Sequence, residues 1–110
     1  MADLDPTLSE FALEARKAAA TLRALGNEAR LLVLCHLSEA QELSVGELTR
    51  RVGLSQSALS QHLARLREDA LVTTRKEAQT VFYRVADPKV GRLLTLLHEL
   101  YCPALGSDDS

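Results

Sequence analysis

The stretch Ser44 to Leu66, SVGELTRRVGLSQSALSQHLARL, constrains the fold more than any other part of the chain. It reads as two short amphipathic helices with room for only a tight turn between them. Leu48 and Val52 are four apart and share one face; Leu59, Leu63 and Leu66 follow at four and three and share another. Gly53 stands where a helix ends in a left-handed residue. Ser44 and Glu47 form an S-x-x-E capping box that starts the first helix, and Ser55 is the N-cap expected for the second. The outward face of that second helix carries Gln56, Ser57, Ser60 and Gln61. These are short hydrogen-bonding side chains near a helix N-terminus, the end that reaches base edges in a major groove.

A net charge of −2 argues against a nucleic-acid partner until the charge is divided along the chain. Residues 44 to 85 hold seven bases (Arg50, Arg51, Arg65, Arg67, Arg75, Lys76, Arg84) and four acids, a net of +3; the remainder holds six bases and eleven acids, a net of −5. The middle is basic and the ends are acidic, a polarity that suits a DNA-facing segment. Charge alone would not decide the matter, because a solvated surface can carry such an imbalance by chance.

Residues 7 to 25 read as a long helix opened by a Thr7–Glu10 capping box. Leu8, Phe11, Ala15, Ala18, Leu22 and Leu25 alternate three and four apart, a heptad seam that favours packing against a partner helix over a broad core face. Asn27 caps a second helix through about Ser38 containing LLVLCHL, apolar almost all round and so central. A polar loop is expected at 39 to 43. After the recognition helix, which runs to about Asp69, the period changes to two. Val72 and Thr74, then Val81, Tyr83 and Val85, alternate around a charged tip at Arg75 to Gln79, a hairpin in the position of a wing. The tip lacks the Gly of tight hairpins, so a longer loop is expected. Arg75 and Lys76, with Arg65 on the helix, are the candidate phosphate contacts. Asp87-Pro88 opens a last helix, 88 to 102, closed by Pro103, and 104 to 110 is a short acidic tail.

The expected architecture is therefore mainly α with a β-hairpin wing, in the order α-α-α-α-β-β-α. It is a single winged helix-turn-helix domain over residues 1–110, dimeric through its first and last helices. At 110 residues the core of one chain is modest, and a dimer enlarges it. No apolar run is long enough to span a bilayer, and the acidic start MADLDPTLSE is not a signal peptide, so a cytoplasmic protein is expected. Neither a Gly-rich phosphate loop, an HExxH nor a G-x-S-x-G occurs, so an enzyme is not expected.

This order of elements, with LGNEARLLVL, the LSVGELTRRVGLSQSALSQHLARLREDALV block and the TVFYRV strand, resembles the ArsR/SmtB family of dimeric winged-helix repressors. The resemblance covers about residues 15 to 103 and implies recognition-helix contacts at Gln56, Ser57, Ser60 and Gln61. The metal-sensing branches are not matched. Where arsenic and cadmium sensors carry a cysteine pair, this chain has Thr49, Arg50, Arg51 and Val52. Of the zinc ligands along the last helix it has Asp87 and His98, with Lys89 where the first His belongs. VLCHL, HELYCP and RKEAQTVFY are instead similar to the HlyU, BigR and SqrR branch, which includes virulence regulators and sensors of reactive sulfur or oxidants.

That likeness implies that Cys35 and Cys102 face each other in the fold and act as a switch, with a small sulfur compound or oxidant as inducer. Oxidation, directly to a disulfide or through persulfide to a polysulfide bridge, would link the second helix to the last one. Taken alone, Cys35 beside Leu34 and Leu37 reads as a small buried hydrophobe before it reads as a sensor. Cys102, near a helix end, is the more exposed candidate. His98 and Cys102, four apart, with Cys35 or His36, offer a rival zinc site. His36 is expected at the surface or an interface, and His62 beneath the recognition helix or near phosphate. The function expected is a homodimeric regulator on an imperfect palindrome of double-stranded DNA, with no cofactor. A zinc-responsive repressor, or an anti-repressor of virulence genes with constitutive DNA binding, is the alternative.

Overall fold

The computed structural model describes residues 6–102; Pro103 and the tail expected at 104 to 110 lie outside them. Helix α2 (Glu28–Ala40) starts at Asn27, whose side-chain oxygen accepts from the Arg30 amide at 2.9 Å. Its Val33, Leu34 and Leu37 are fully buried, which makes it the central helix that its composition predicted. It runs to Ala40, two residues past the expected end, and stops where Gln41 adopts φ 74°.

The polar loop expected at 39 to 43 shrinks to Gln41 and Glu42, because α2 takes its start and a strand takes its end. Leu43–Ser44 forms that short strand, β1, with Leu43 buried opposite Tyr83 and Ser44 opposite Phe82. Helix α3 (Val45–Val52) then opens on the Ser44–Glu47 box and closes on Gly53 at φ 72°. Helix α4 (Gln56–Glu68) opens on Ser55, whose Oγ accepts from the Ala58 amide at 3.1 Å. It ends in a Schellman arrangement. Ala70 sits at φ 60°, the Leu71 amide donates to the Leu66 carbonyl at 2.9 Å, and the Ala70 amide donates to the Arg67 carbonyl at 3.0 Å. Leu66 and Leu71 are both buried, as that motif prefers.

Strands β2 (Val72–Glu77) and β3 (Thr80–Val85) form the wing, and the antiparallel sheet has the order β1-β3-β2. Glu77 pairs with Thr80, so the connection is the two-residue turn Ala78-Gln79 and not the longer loop expected. Ala78 provides the positive φ, 56°, that Gly or Asn more often supplies in tight turns. Helix α5 (Pro88–Tyr101) is capped by Asp87, whose carboxylate accepts from the Lys89 amide at 2.9 Å.

Helix α1 (Pro6–Leu25) begins one residue earlier than predicted, so Thr7 lies inside the first turn and is not its cap. Its seam divides. Leu25 turns inward with Ala24 to join the core, whereas Leu8, Phe11 and Leu22 stay largely exposed in a single chain. The core itself lies where α2, α3, α4, α5 and the base of the wing meet. Leu48 and Val52, then Leu59, Leu63 and Leu66, occupy it with Val90 and Leu94, which leaves the opposite side of α4 to solvent. No helix among the described residues is long and apolar enough to cross a membrane.

Candidate nucleic-acid interface and thiol pair

The leucine side of α4 decides what its other side presents. Leu59, Leu63 and Leu66 are at most 2% exposed, and each fully buried leucine stabilises by about 1.5–3 kcal/mol. With that side fixed, Gln56, Ser57, Ser60 and Gln61 fall together on the solvent side of the first two turns, and all four are exposed. Spacings of three and four put them on one patch. His62 is half-buried between this patch and the core.

The three expected phosphate contacts are placed differently. Arg65 is exposed on α4 and makes a 3.3 Å ion pair with Asp69 one turn on. Lys76 is exposed near the wing tip and, among the described residues, has no ion-pair or hydrogen-bond partner. Arg75 is also exposed, yet its guanidinium is already engaged. It makes two bonds to Glu42, at 2.7 and 2.9 Å, and one to Glu77 at 2.9 Å, and it lies over the Phe82 ring. Glu42 is the residue that sequence reasoning missed. It lies two residues before the basic segment, and only the register of β1 on β3 brings it to the wing.

Cys35 and Cys102 are both free thiols and both partly buried. Cys35 packs against the core on α2; Cys102 caps α5, its amide donating to the His98 carbonyl at 2.8 Å. Burial pushes the Cys35 thiol above its ordinary pKa, and the negative charges of Cys102 and Glu39 push it further the same way. Between α2 and α5 is a cleft of about 330 Å³ lined by Cys35, His36, Glu39, Leu94, Thr95 and His98. His36 Nδ1 is buried without a hydrogen-bond partner. Among the described residues no three His, Cys, Asp or Glu side chains converge to hold a metal ion.

A helix-turn-helix braced by a three-stranded wing, with the polar face of its second helix open to solvent, defines a winged helix-turn-helix transcription regulator. Residues 27–74 match the family model described as bacterial regulatory protein, arsR family. The chain is 57% identical over 97 residues to the transcriptional activator HlyU of Vibrio cholerae, covering 88% of this chain and 89% of that protein. The structure of reduced HlyU from the same organism superposes with a TM-score of 0.80 at 57% identity, over 84% of this chain and 97% of that one. That of the transcriptional repressor BigR from Xylella fastidiosa superposes at 0.78 with 36% identity, over 86% and 95%. The chain belongs to the ArsR family of transcription regulators.

Proposed function

We propose that the chain acts in the cytoplasm as a homodimeric transcription regulator. It binds an imperfect palindrome of double-stranded DNA with one α4 in the major groove of each half-site. The observation that carries this reading is the shared exposure of Gln56, Ser57, Ser60 and Gln61 on a helix whose other side is locked into the core. Amide and hydroxyl side chains donate to and accept from base edges, and glutamine pairs with adenine through two bonds. A rigid leucine side holds them at one angle to the groove. Arg65 and Lys76 make phosphate contacts, which supply affinity and orientation but no sequence information. Arg75, with one N–H of each nitrogen already given to a carboxylate, is left out of that set.

The apolar residues left exposed on α1 and α5 (Phe11 and Leu22, Leu100 and Tyr101 among them) support a twofold partner across these helices. Such a dimer sets its two α4 helices about one DNA turn apart.

The test is selection of duplexes from a random-sequence pool by the purified chain, followed by binding measurements across salt. A palindrome is expected, with affinity falling steeply as salt rises. Gln56→Ala and Gln61→Ala each weaken binding to the selected site by about 1–3 kcal/mol, with little change on an unrelated duplex. Absence of salt-sensitive duplex binding, or equal losses on both duplexes, defeats the reading.

A second element of this reading is that Cys35 and Cys102 switch the DNA affinity, supported by their places on α2 and at the end of α5, two helices packed on each other. With a peroxide, the two thiols give up two protons and two electrons, an S–S bond forms, and hydrogen peroxide leaves as two waters. With an organic trisulfide, each thiol first takes the central sulfur atom to become a persulfide, an S–S bond of the donor breaks, and the donor is left as the organic disulfide. The two persulfides then condense to a trisulfide and release hydrogen sulfide. Either bridge ties α2 to α5 and shifts the dimer toward an arrangement whose α4 helices no longer match the half-sites. Cys35→Ser and Cys102→Ser chains are expected to keep their DNA after treatment that strips it from the parent. If they release it as the parent does, there is no switch.

A further inference from the structure

Arg75 and Glu42 stand at opposite edges of the sheet, on one face. Arg75 is on β2, Glu42 immediately precedes β1, and β3 runs between them. Arg75 spans the gap. Its Nε donates to Glu42 Oε2 at 2.7 Å and its Nη2 to Glu42 Oε1 at 2.9 Å, a two-pronged fork, while Nη1 donates to Glu77 Oε1 at 2.9 Å. The guanidinium carbon lies 4.5 Å from the centroid of Phe82, the residue directly opposite on β3. All three nitrogens and one face of the group are thus in use.

The geometry is specific to arginine. A planar fork meets both oxygens of a carboxylate and stacks on a ring; a lysine ammonium can do neither. A single exposed ion pair holds little, but a two-pronged pair shared with a second carboxylate and clamped on an aromatic ring holds a shape. Hydrogen bonds to Glu42 and then Glu77 favour the charged guanidinium, and the same contact keeps the Glu42 carboxyl below its ordinary range. The Arg75 guanidinium faces two carboxylates here, with Arg84 adding its charge near Glu42, so Arg75 itself has little free charge to offer. Lys76, one residue along the strand, points to the other face of the sheet and has no acidic partner among the described residues.

We infer that Arg75 is a positioning residue that ties the wing to the strand leading into the helix-turn-helix and so sets the angle between wing and α4. Lys76 carries the wing's charge to the DNA. The inference rests on the DNA-binding reading above and assigns a residue within it.

The test uses the full chain, a duplex recovered by selection, and two readouts. The first is the slope of log affinity against log salt. Lys76→Gln lowers its magnitude by about two per dimer, one phosphate per protomer at about 0.9 each. Arg75→Gln weakens binding several-fold while leaving the slope at the parent value, and Arg75→Lys, which keeps the charge and loses the fork, weakens it nearly as much. The second is hydrogen exchange of β2 and β3 amides without DNA. Arg75→Gln and Glu42→Gln are both expected to speed it, because each opens the same tie. The inference is overturned if Arg75→Gln lowers the slope as far as Lys76→Gln, if Arg75→Lys binds like the parent, or if neither variant changes wing exchange. A parent chain with no salt-sensitive duplex binding would instead remove the DNA-binding reading itself, leaving the exchange result to judge the tie alone.

Discussion

Ser44 and Glu47 hold each other across the first turn of α3: the Glu47 amide donates to Ser44 Oγ at 3.1 Å, and the Ser44 amide donates to Glu47 Oε1 at 2.8 Å. Ser44 also belongs to β1, paired opposite Phe82, so the same residue couples the helix-turn-helix to the wing sheet. Cap and strand therefore fix where α3 begins and how it leaves the sheet.

Removing the Ser44 hydroxyl leaves the Glu47 amide without its partner. Ser44→Ala is expected to destabilise the fold by about 1 kcal/mol at neutral pH, read from urea unfolding. The carboxylate half of the box brings a pH dependence. The Ser44 backbone bond, then its side-chain bond, holds the Glu47 carboxyl below its ordinary range, with Arg50 and Arg51 adding to the effect. The unfolded chain thus binds its proton more readily than the folded one, and stability rises with pH through that window. The contribution is whole above the unfolded value of about 4.3 and is lost as pH falls through the lower folded value. The gap in urea midpoint between the parent and Glu47→Ala is accordingly present at pH 7 and narrows on acidification below about pH 4.

Two helix ends give opposite predictions from one cause. Gly53 closes α3 at φ 72° with nothing near the place a Cβ would occupy, so Gly53→Ala meets only the backbone strain of an L residue in left-handed space. It is expected to destabilise by about 1–2 kcal/mol. Ala70 closes α4 at φ 60° and already bears that strain. Ala70→Gly is expected to stabilise by up to about 1 kcal/mol, less than the full relief because glycine loses more freedom on folding. Calorimetry of the two variants beside the parent checks both signs.

Much of this frame is legible in the sequence because its signals are local. Asn27, Ser44, Ser55 and Asp87 each accept from an amide two or three residues on, and Gly53 needs only its own φ. The leucine spacings of α3 and α4 name the buried side, and by elimination the exposed one. What escaped depends on residues far apart in the chain. A two-residue strand has no period to detect, so β1 read as loop. Ala78 shows that a tight turn can tolerate an ordinary residue when the ladder on both sides is in register. Leu25 followed the heptad yet turned into the core, because α1 ends there and the chain must turn into α2. Glu42 and Arg75 are separated by 33 positions, and nothing short of the strand order brings them together.

Cys35 is predicted to be a slow nucleophile in the reduced protein. Only the thiolate attacks, and burial together with the charges of Cys102 and Glu39 disfavours it. Alkylation by iodoacetamide at about pH 8, followed by mass spectrometry, is expected to proceed more slowly at Cys35 than at a free cysteine, whose pKa is about 8.5. Glu39→Gln removes one opposing charge and is expected to raise the rate modestly, with burial still the larger restraint. A Cys35 rate equal to that of free cysteine would contradict the placement.

The α1 seam makes the last prediction. Leu8, Phe11 and Leu22 are 54, 68 and 59% exposed in one chain, and Ala15 and Ala18 between them allow a close helix approach. Leu13 is also apolar and 48% exposed, but it lies off the seam and serves as the control. In a twofold interface every substitution acts twice. Phe11→Glu therefore removes two aromatic contacts and inserts two like charges, a loss of at least about 3 kcal/mol on the scale of Phe→Ala in a packed site. Analytical ultracentrifugation at micromolar concentration is expected to give a two-chain mass for the parent and for Leu13→Glu, and a one-chain mass for Phe11→Glu. The Phe11 variant should keep its helical circular dichroism, because the core clustered on α2 and α4 does not include that side chain. It should also lose most affinity for a palindromic duplex, since one chain reads only one half-site. A two-chain mass for Phe11→Glu, or a one-chain mass for the parent, would place the dimer contact elsewhere or deny it.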